Sequence, residues 1–276
     1  MTLRELASRL ADAGIDSAKS DTLLIAEKVS GIGRASLMAR FDEDISAQPW
    51  YAEAESMISR RVSREPLQYI LGKWEFYGDV YTVTPACLIP RPETEMLVDY
   101  ARGHLPRGAR IADLCCGSGC IGVAVCRNTD AYCDSVDISK AALGVAIENA
   151  ESLGVSGRIR FHRGDVLSSG AISGEYDMIL SNPPYVKTSE LYDLEPELSF
   201  EPMLALDGGD DGMIFYRAIV ENYKEKLTEN GEFVFEIGAG LGGDMTELAH
   251  SYGFECRIYN DLSGLPRMAV LGRRKI

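Results

Sequence analysis

The sequence predicts a doubly wound α/β domain built on a seven-stranded sheet, with a small all-helical domain before it and a β-hairpin joining the two. Three observations predict this. Residues 1 to about 64 repeat apolar residues at helical spacing. Residues 76–83 set aromatic and β-branched residues around a Gly-Asp turn. From about residue 109 short apolar strands alternate with helices. Such alternation gives a mostly parallel sheet with helices on both faces. A chain of 276 residues suits one large domain and a smaller one.

The elements follow in order. Leu3, Leu6, Leu10 and Ala11 share a helical face; Leu23, Leu24, Ala26 and Val29 form a second; Ala54, Met57, Ile58 and Val62 a third. Gly14, Gly31, Gly33 and Gln48-Pro49 separate them. Phe76 through Val83 reads as a hairpin. Pro90 and Pro92, one residue apart, fix an extended backbone, after which Thr94 or the preceding segment caps a helix through Met96, Leu97 and Tyr100. Strands are expected at 110–114, 132–137, 158–162, 176–181, 232–237, 254–259 and 268–272, with helices near 119–128, 139–153, 212–228 and 241–252. No repeat or low-complexity segment interrupts them.

The formal net charge is −14, and no basic stripe occurs in either part of the chain. Binding to duplex phosphates draws on Lys and Arg. The composition therefore argues against DNA and fits a small molecule or a protein with a basic surface. No apolar run approaches the roughly 18 residues of a membrane span, and the first residues lack the apolar core of a secretory signal. The seven cysteines form no CxxC pair, and Cys115, Cys116 and Cys120 share one apolar stretch. Reduced, buried thiols in a cytoplasmic protein are expected, rather than disulfides or a metal site. The closing Arg273-Arg274-Lys275 is expected to be a frayed terminus.

A candidate ligand loop follows the first strand of the large domain: Asp113-Leu114-Cys115-Cys116-Gly117-Ser118-Gly119. A glycine pair alone marks any strand-to-helix turn. Here the next strand ends in Asp137, where an acid accepts hydrogen bonds from ribose hydroxyls, and the third is followed by Gly164-Asp165-Val166, an acid and an apolar residue suited to flank adenine. Each acid singly reads as a cap or a solvated charge; at successive strand ends together they point to a nucleoside. The first glycine of a G-x-G-x-x-G fingerprint is replaced by Cys115, and the loop carries no basic residue. That disfavours a pyrophosphate. Asp113 either faces a sulfonium and ammonium group or caps the loop's N–H groups.

The fourth strand runs into Asn182-Pro183-Pro184-Tyr185. A bare Pro-Pro would be a stiff loop. Asn before it and Tyr after it, at a strand end beside the ligand loop, point to chemistry. A planar amide or amino nitrogen is a poor nucleophile because its lone pair is delocalised. The Asn182 side-chain oxygen and the Pro183 carbonyl together accept its two N–H bonds. The prolines hold those acceptors still, and Tyr185 offers a flat face. Rate then comes from in-line positioning and from favouring charge transfer off sulfur. His104, His162 and His250 lie outside these motifs, and no metal is required.

Asn-Pro-Pro-Tyr after a glycine loop is shared by adenine-amino and glutamine-amide methyltransferases. Arg64 through Gly72, Leu88 through Glu95, Glu201-Pro202 with Leu206 through Gly212, and Phe235 through Gly238 make the chain resemble, over nearly its whole length, the bacterial peptide-chain release factor glutamine N5-methyltransferase family. The resemblance implies a Rossmann-like methyltransferase sheet over 92–276, a helical substrate-recognition domain over 1–72 that contacts the release factor, and a hairpin linker over 73–91. It implies S-adenosyl-L-methionine as cofactor, with S-adenosyl-L-homocysteine as product, and the glutamine of the Gly-Gly-Gln tip of class 1 release factors as substrate, so that the enzyme modulates translation termination. Asn182, Pro183, Pro184 and Tyr185 would hold the glutamine amide. Asp113, Cys115, Cys116, Gly117, Ser118, Gly119, Asp137, Asp165, Val166 and Asn182 would bind the cofactor, and Arg91, Pro92 and Glu93 would help close the site. No direct nucleic-acid or membrane partner is implied.

Two positions depart from the family pattern. Cys115 stands where glycine is usual; cysteine would be strained at positive φ, and the loop is expected to accommodate its small side chain instead. Val166 stands where a large aromatic often packs on adenine, which implies looser packing. The acidic run Glu195 through Glu201 is either a solvated face or a surface for a basic partner. Three alternatives compete: a DNA adenine-N6 methyltransferase, disfavoured by the acidic balance because base flipping needs phosphate contacts; a glutamine methyltransferase of a large-subunit ribosomal protein, less compatible with Pro92-Glu93-Thr94-Glu95; and a non-catalytic nucleotide-binding protein, disfavoured by the intact Asn182–Tyr185 segment.

Overall fold

The computed structural model describes residues 1–273. Most of the Arg273-Arg274-Lys275 run therefore lies outside the described residues. The chain forms two compact units: Met1–Lys73 with Glu195–Phe200, and Trp74–Leu194 with Glu201 onward. Among the described residues no helix is long and apolar enough to cross a membrane.

The first unit is helical: α1 (Leu3–Asp12), α2 (Ala18–Ser30), α3 (Arg34–Ala39), α4 (Tyr51–Val62) and α5 (Leu67–Leu71). A capping box opens α1: the Glu5 amide donates to Thr2 Oγ1 at 3.1 Å, and the Thr2 amide to Glu5 Oε2 at 2.8 Å. Leu3, Leu6, Leu10, Ile25 and Ile58 fill the core. Arg61, itself buried, donates to Asp21 at 2.8 Å and to Glu197 at 2.9 Å, and Arg64 donates to Glu197 at 2.7 Å. One acid of the 195–201 run is thus consumed inside this unit. A second, Glu201, is buried in the other unit.

A hairpin, β1 (Lys73–Phe76) and β2 (Asp79–Thr82), stands at the start of the second unit, all but its first residue inside it. Its turn is Tyr77-Gly78, one residue earlier than the Gly-Asp turn expected. Both residues have positive φ, 51° and 75°, which matches the twist of a two-residue hairpin. The shift aims Phe76 and Tyr81 inward, where their rings meet edge-on at 5.7 Å. A 3-10 turn, Pro92–Thr94, leads into α6 (Glu95–His104). Of the two caps expected, the Thr94 side chain is not one, since it makes no capping bond to α6; its hydroxyl is taken by another partner, described below.

The large sheet has seven strands: β3 (Arg110–Leu114), β4 (Tyr132–Asp137), β5 (Ile159–Arg163), β6 (Tyr176–Ser181), β7 (Leu227–Glu236), β8 (Phe254–Asn260) and β9 (Pro266–Arg273). Their order is β5-β4-β3-β6-β7-β9-β8, parallel through β7, with β9 antiparallel to both neighbours. Helices α7 (Cys120–Asn128), α8 (Lys140–Ser152), α9 (Ile214–Tyr223) and α10 (Gly242–Ser251) cover it. The expected helix over 212–228 stops at Tyr223, because Leu227 already pairs with Tyr176 and starts β7. Alternate strand residues feed two cores. Ile111, Met178, Leu180 and Val234 enter one; Ala112, Ile179, Phe233 and Phe235 enter the other. From β3 the sheet grows one way to β4 and β5 and the other way to β6 and β7. A ligand crevice belongs at such a reversal, beyond the carboxyl ends of β3 and β6.

Candidate active site

A cavity occupies that position, about 1100 Å³ when the open space at its mouth is counted. Its floor is the loop after β3. Cys115 has φ 61°, so the position does demand the left-handed region, and the unstrained accommodation expected from its small side chain is incorrect. A non-glycine residue there costs about 1–2 kcal/mol. Gly119 has φ 76°, and a Cβ there would sit 2.9 Å from the Ala146 Cβ, so the loop both turns and lies flat on α8. The Cys116 amide donates to the Val136 carbonyl at 2.9 Å. Buried Asn149 donates to the Ser118 carbonyl at 2.9 Å and exchanges two bonds with Thr82, tying loop, helix and hairpin together.

Asp137, at the end of β4, accepts from the Gly117 amide at 2.8 Å and from the Ser139 amide at 2.8 Å. Burial raises its carboxyl above the usual range, against these bonds. It thus braces the loop while lining the cavity. Asp113 does not line the cavity. It is fully buried, and its Oδ2 accepts from the Gly122 amide at 2.9 Å, so it caps the first turn of α7; among the described residues Oδ1 has no hydrogen-bond partner. Burial pushes this carboxyl up to about 7. Cys116, Cys120 and Cys133 are buried, and burial raises their thiols and that of Cys115, which suppresses thiolate chemistry.

The reactive segment is held from three sides. Ser181 Oγ donates to the Leu114 carbonyl at 2.6 Å, fastening the end of β6 to the end of β3. The run Leu206 through Gly212 braces Pro184 to Val186: the Val186 amide donates to the Leu206 carbonyl at 2.9 Å and the Gly208 amide to the Val186 carbonyl at 2.8 Å. A Cβ at Gly208 would come within 2.6 Å of the Tyr185 Cα, so only glycine fits. Tyr185 packs with the core that contains Tyr216 and Phe235, and burial pushes its phenol up to about 12. Beyond it, Asn182 Nδ2 donates to Thr94 Oγ1 at 3.4 Å, and Thr94 Oγ1 donates to Glu236 Oε2 at 2.5 Å.

The extended segment before α6 forms another wall. Glu201, with its side chain almost wholly buried, accepts from the Ile89 amide at 3.0 Å and pairs with Arg91. Ile89, Arg91 and Thr94 line the cavity; Pro92 and Glu93 do not. Of the other residues singled out from sequence, Cys115, Cys116, Gly117, Ser118, Asp137, Asp165, Val166, Asn182 and Pro184 line it, whereas Gly119, Pro183 and Tyr185 are not part of its lining. Sequence reasoning missed Ile138, Leu167, Leu204 and Phe215. Ile138 carried a signal, a large apolar residue directly after the strand-end Asp137; Leu167 lies two residues after Asp165, and both stay about two-fifths exposed. Nothing in the local sequence marks Phe215.

Two family descriptions match the chain, the PrmC N-terminal domain over residues 2–72 and the methyltransferase small domain over residues 93–198. A release factor glutamine methyltransferase of Geobacter sulfurreducens is 37% identical over 96% of this chain and 92% of its own length. One from Bacteroides thetaiotaomicron is 40% identical over 80% of this chain and 81% of its own. The chain belongs to the release factor glutamine methyltransferase family. Its fold is that of methyltransferases more widely. A solved methyltransferase of Pyrococcus furiosus superposes with a TM-score of 0.57 at 15% identity, covering 82% of this chain and 99% of that one. Within the family frame, the Leu206–Gly212 run acquires a physical role as the brace of the reactive loop.

Proposed function

We propose that this chain transfers a methyl group from S-adenosyl-L-methionine to the side-chain amide nitrogen of the glutamine in the Gly-Gly-Gln motif of class 1 release factors, in the cytoplasm. One observation carries the reading: Asn182 and Pro184 face the same cavity as the loop Cys115–Ser118, at the carboxyl ends of neighbouring strands. The names of the relatives support the choice of substrate. The donor set suits the cofactor. Two carboxylates, Asp137 and Asp165, stand beside the apolar Ile138, Val166 and Leu167, as a ribose and an adenine require. When bound, the sulfonium cofactor supplies an electrophilic methyl group.

The residues of the chain then do the rest. Asn182 Oδ1 and the Pro183 carbonyl accept the two amide N–H bonds and aim the nitrogen, whose lone pair lies across the amide plane, at the methyl. The two acceptors favour positive charge developing on that nitrogen. Tyr185, braced by Gly208, keeps Pro184 fixed against the amide's plane. The helical unit is proposed as the recognition domain for the release factor, with residues 73–91 as the linker to the methyltransferase domain.

The deciding experiment is a transfer assay with labelled cofactor and four acceptors: an intact class 1 release factor, its Gly-Gly-Ala variant, a large-subunit ribosomal protein, and unmethylated DNA. Label on the first and not the second is the expected result. Label on the ribosomal protein or DNA alone would overturn the substrate, and binding without transfer would favour a non-catalytic role.

A further inference from the structure

We propose that Glu236, acting through the Thr94 hydroxyl, is a positioning residue that fixes which end of the Asn182 amide faces the substrate. The proposal rests on the amide-transfer reading above. Glu236 ends β7, beside the end of β6; Ser181 and Phe235 are paired in the sheet, so Asn182 and Glu236 are the next residues along the two strands. Thr94 closes the 3-10 turn before α6 and lines the cavity, while Glu236 does not. Thr94 and Glu236 are each 2% exposed, so water does not compete for their bond.

An ionised carboxylate only accepts. The Thr94 proton must therefore point at Glu236, as the 2.5 Å contact has it. The Thr94 oxygen is left with lone pairs, and only the NH2 end of Asn182 satisfies one, at 3.4 Å. Asn182 Oδ1 is thereby turned away from Thr94 and free to accept a substrate N–H. Protonation of Glu236 reverses the chain. Glu236 then donates to Thr94, Thr94 is free to donate to Asn182 Oδ1, and the amide turns its NH2 toward the substrate, donor against donor.

The surroundings place that change within reach of ordinary pH. Burial pushes Glu236 up to about 7, against the Thr94 bond and the guanidinium groups of Arg267 and Arg91, and with the help of Glu93. The remaining neighbours are Tyr185, Cys120 and Tyr216, whose hydroxyl donates to the Glu236 carbonyl at 2.8 Å. Because the carboxyl is raised, the competent ionised form is present above about 7 and lost as pH falls.

The test uses the intact enzyme and two isosteric variants, Glu236→Gln and Thr94→Val, with Thr94→Ser as the conservative control. Glu236→Gln should lower kcat about ten- to a hundredfold, leave cofactor affinity unchanged and abolish the acidic limb of the pH profile. Thr94→Val should match it, the double variant should be no worse than either, and Thr94→Ser should retain activity. In selectively 15N-labelled protein without substrate, the Asn182 side-chain NH2 resonances, assigned by their loss in Asn182→Ala, should titrate near pH 7 in the wild type and in neither isosteric variant. If Glu236→Gln proves unstable, Thr94→Val carries both readouts. A wild-type pH limb or an unchanged Asn182 titration in a folded variant would overturn the relay. Titration as expected in a wild type that does not methylate release factor would keep the relay and overturn the substrate instead.

Discussion

The two loops that meet at the cavity are held in opposite ways. The loop Cys115–Gly119 keeps its shape mainly from within and from the strand next door: positive φ at Cys115, Gly117 and Gly119, the Gly117 amide on Asp137 and the Cys116 amide on the Val136 carbonyl. The loop Asn182–Tyr185 has no positive φ among its four residues. It is stiffened by two prolines, and its position is dictated by distant residues: Leu206 and Gly208 behind it, Thr94 and Glu236 beside Asn182. A loop that binds a group common to many enzymes can be encoded locally. A loop that must place one amide oxygen against one nitrogen takes its accuracy from the body of the fold.

Exchange of the reacting group should break this comparison most sharply. Asn182→Ala is expected to lower kcat about 10²–10³-fold, by analogy with removing one preorganised partner of a transition state, while isothermal titration finds cofactor affinity nearly intact. Asp137→Ala should do the converse and weaken cofactor binding roughly tenfold to a hundredfold, since bonds to a charged partner contribute about 1.5–3 kcal/mol. Unchanged affinity in Asp137→Ala would remove the ribose assignment.

The brace comes next. Gly208→Ala places a methyl 2.6 Å from the Tyr185 backbone, with no flexible side chain to yield. Displacing that backbone should destabilise the protein by about 1–3 kcal/mol, read by denaturant unfolding, and should lower kcat more than cofactor affinity. Equal losses in both would mean that the brace serves the whole cavity rather than the reactive loop.

The smallest effect should come from the ligand loop itself. Cys115→Gly relieves the left-handed strain at φ 61°. The gain of about 1–2 kcal/mol is partly offset by the extra freedom glycine brings to the unfolded chain, about 0.5–1 kcal/mol. A small rise in Tm with unchanged kcat is expected; a fall would mean that the Cys115 side chain contributes packing worth more than its strain costs.

Much of the fold was legible because its signals are short-range. The ends of β3 and β6 follow directly from apolar runs stopping at a Gly-rich and a Pro-rich turn. The departures have physical causes. The hairpin turn falls at Tyr77-Gly78 because inward burial of Phe76 and Tyr81 fixes the register. The helix after Gly212 ends early because Leu227 finds a strand partner in Tyr176. The Thr94 hydroxyl turns to Glu236 rather than to α6, a choice set by a residue 142 positions away.

By itself the sequence determined the fold class, the ligand loop and the reactive tetrapeptide, because glycine, proline and strand-end acids act on the backbone within a few residues. Tertiary structure alone decided that Asp113 caps α7 behind the cavity wall, that Glu201 anchors Arg91, and that Glu236 reaches Asn182 through Thr94. Those outcomes depend on which strand ends lie side by side and on which polar groups, once shut away from water, must find one another.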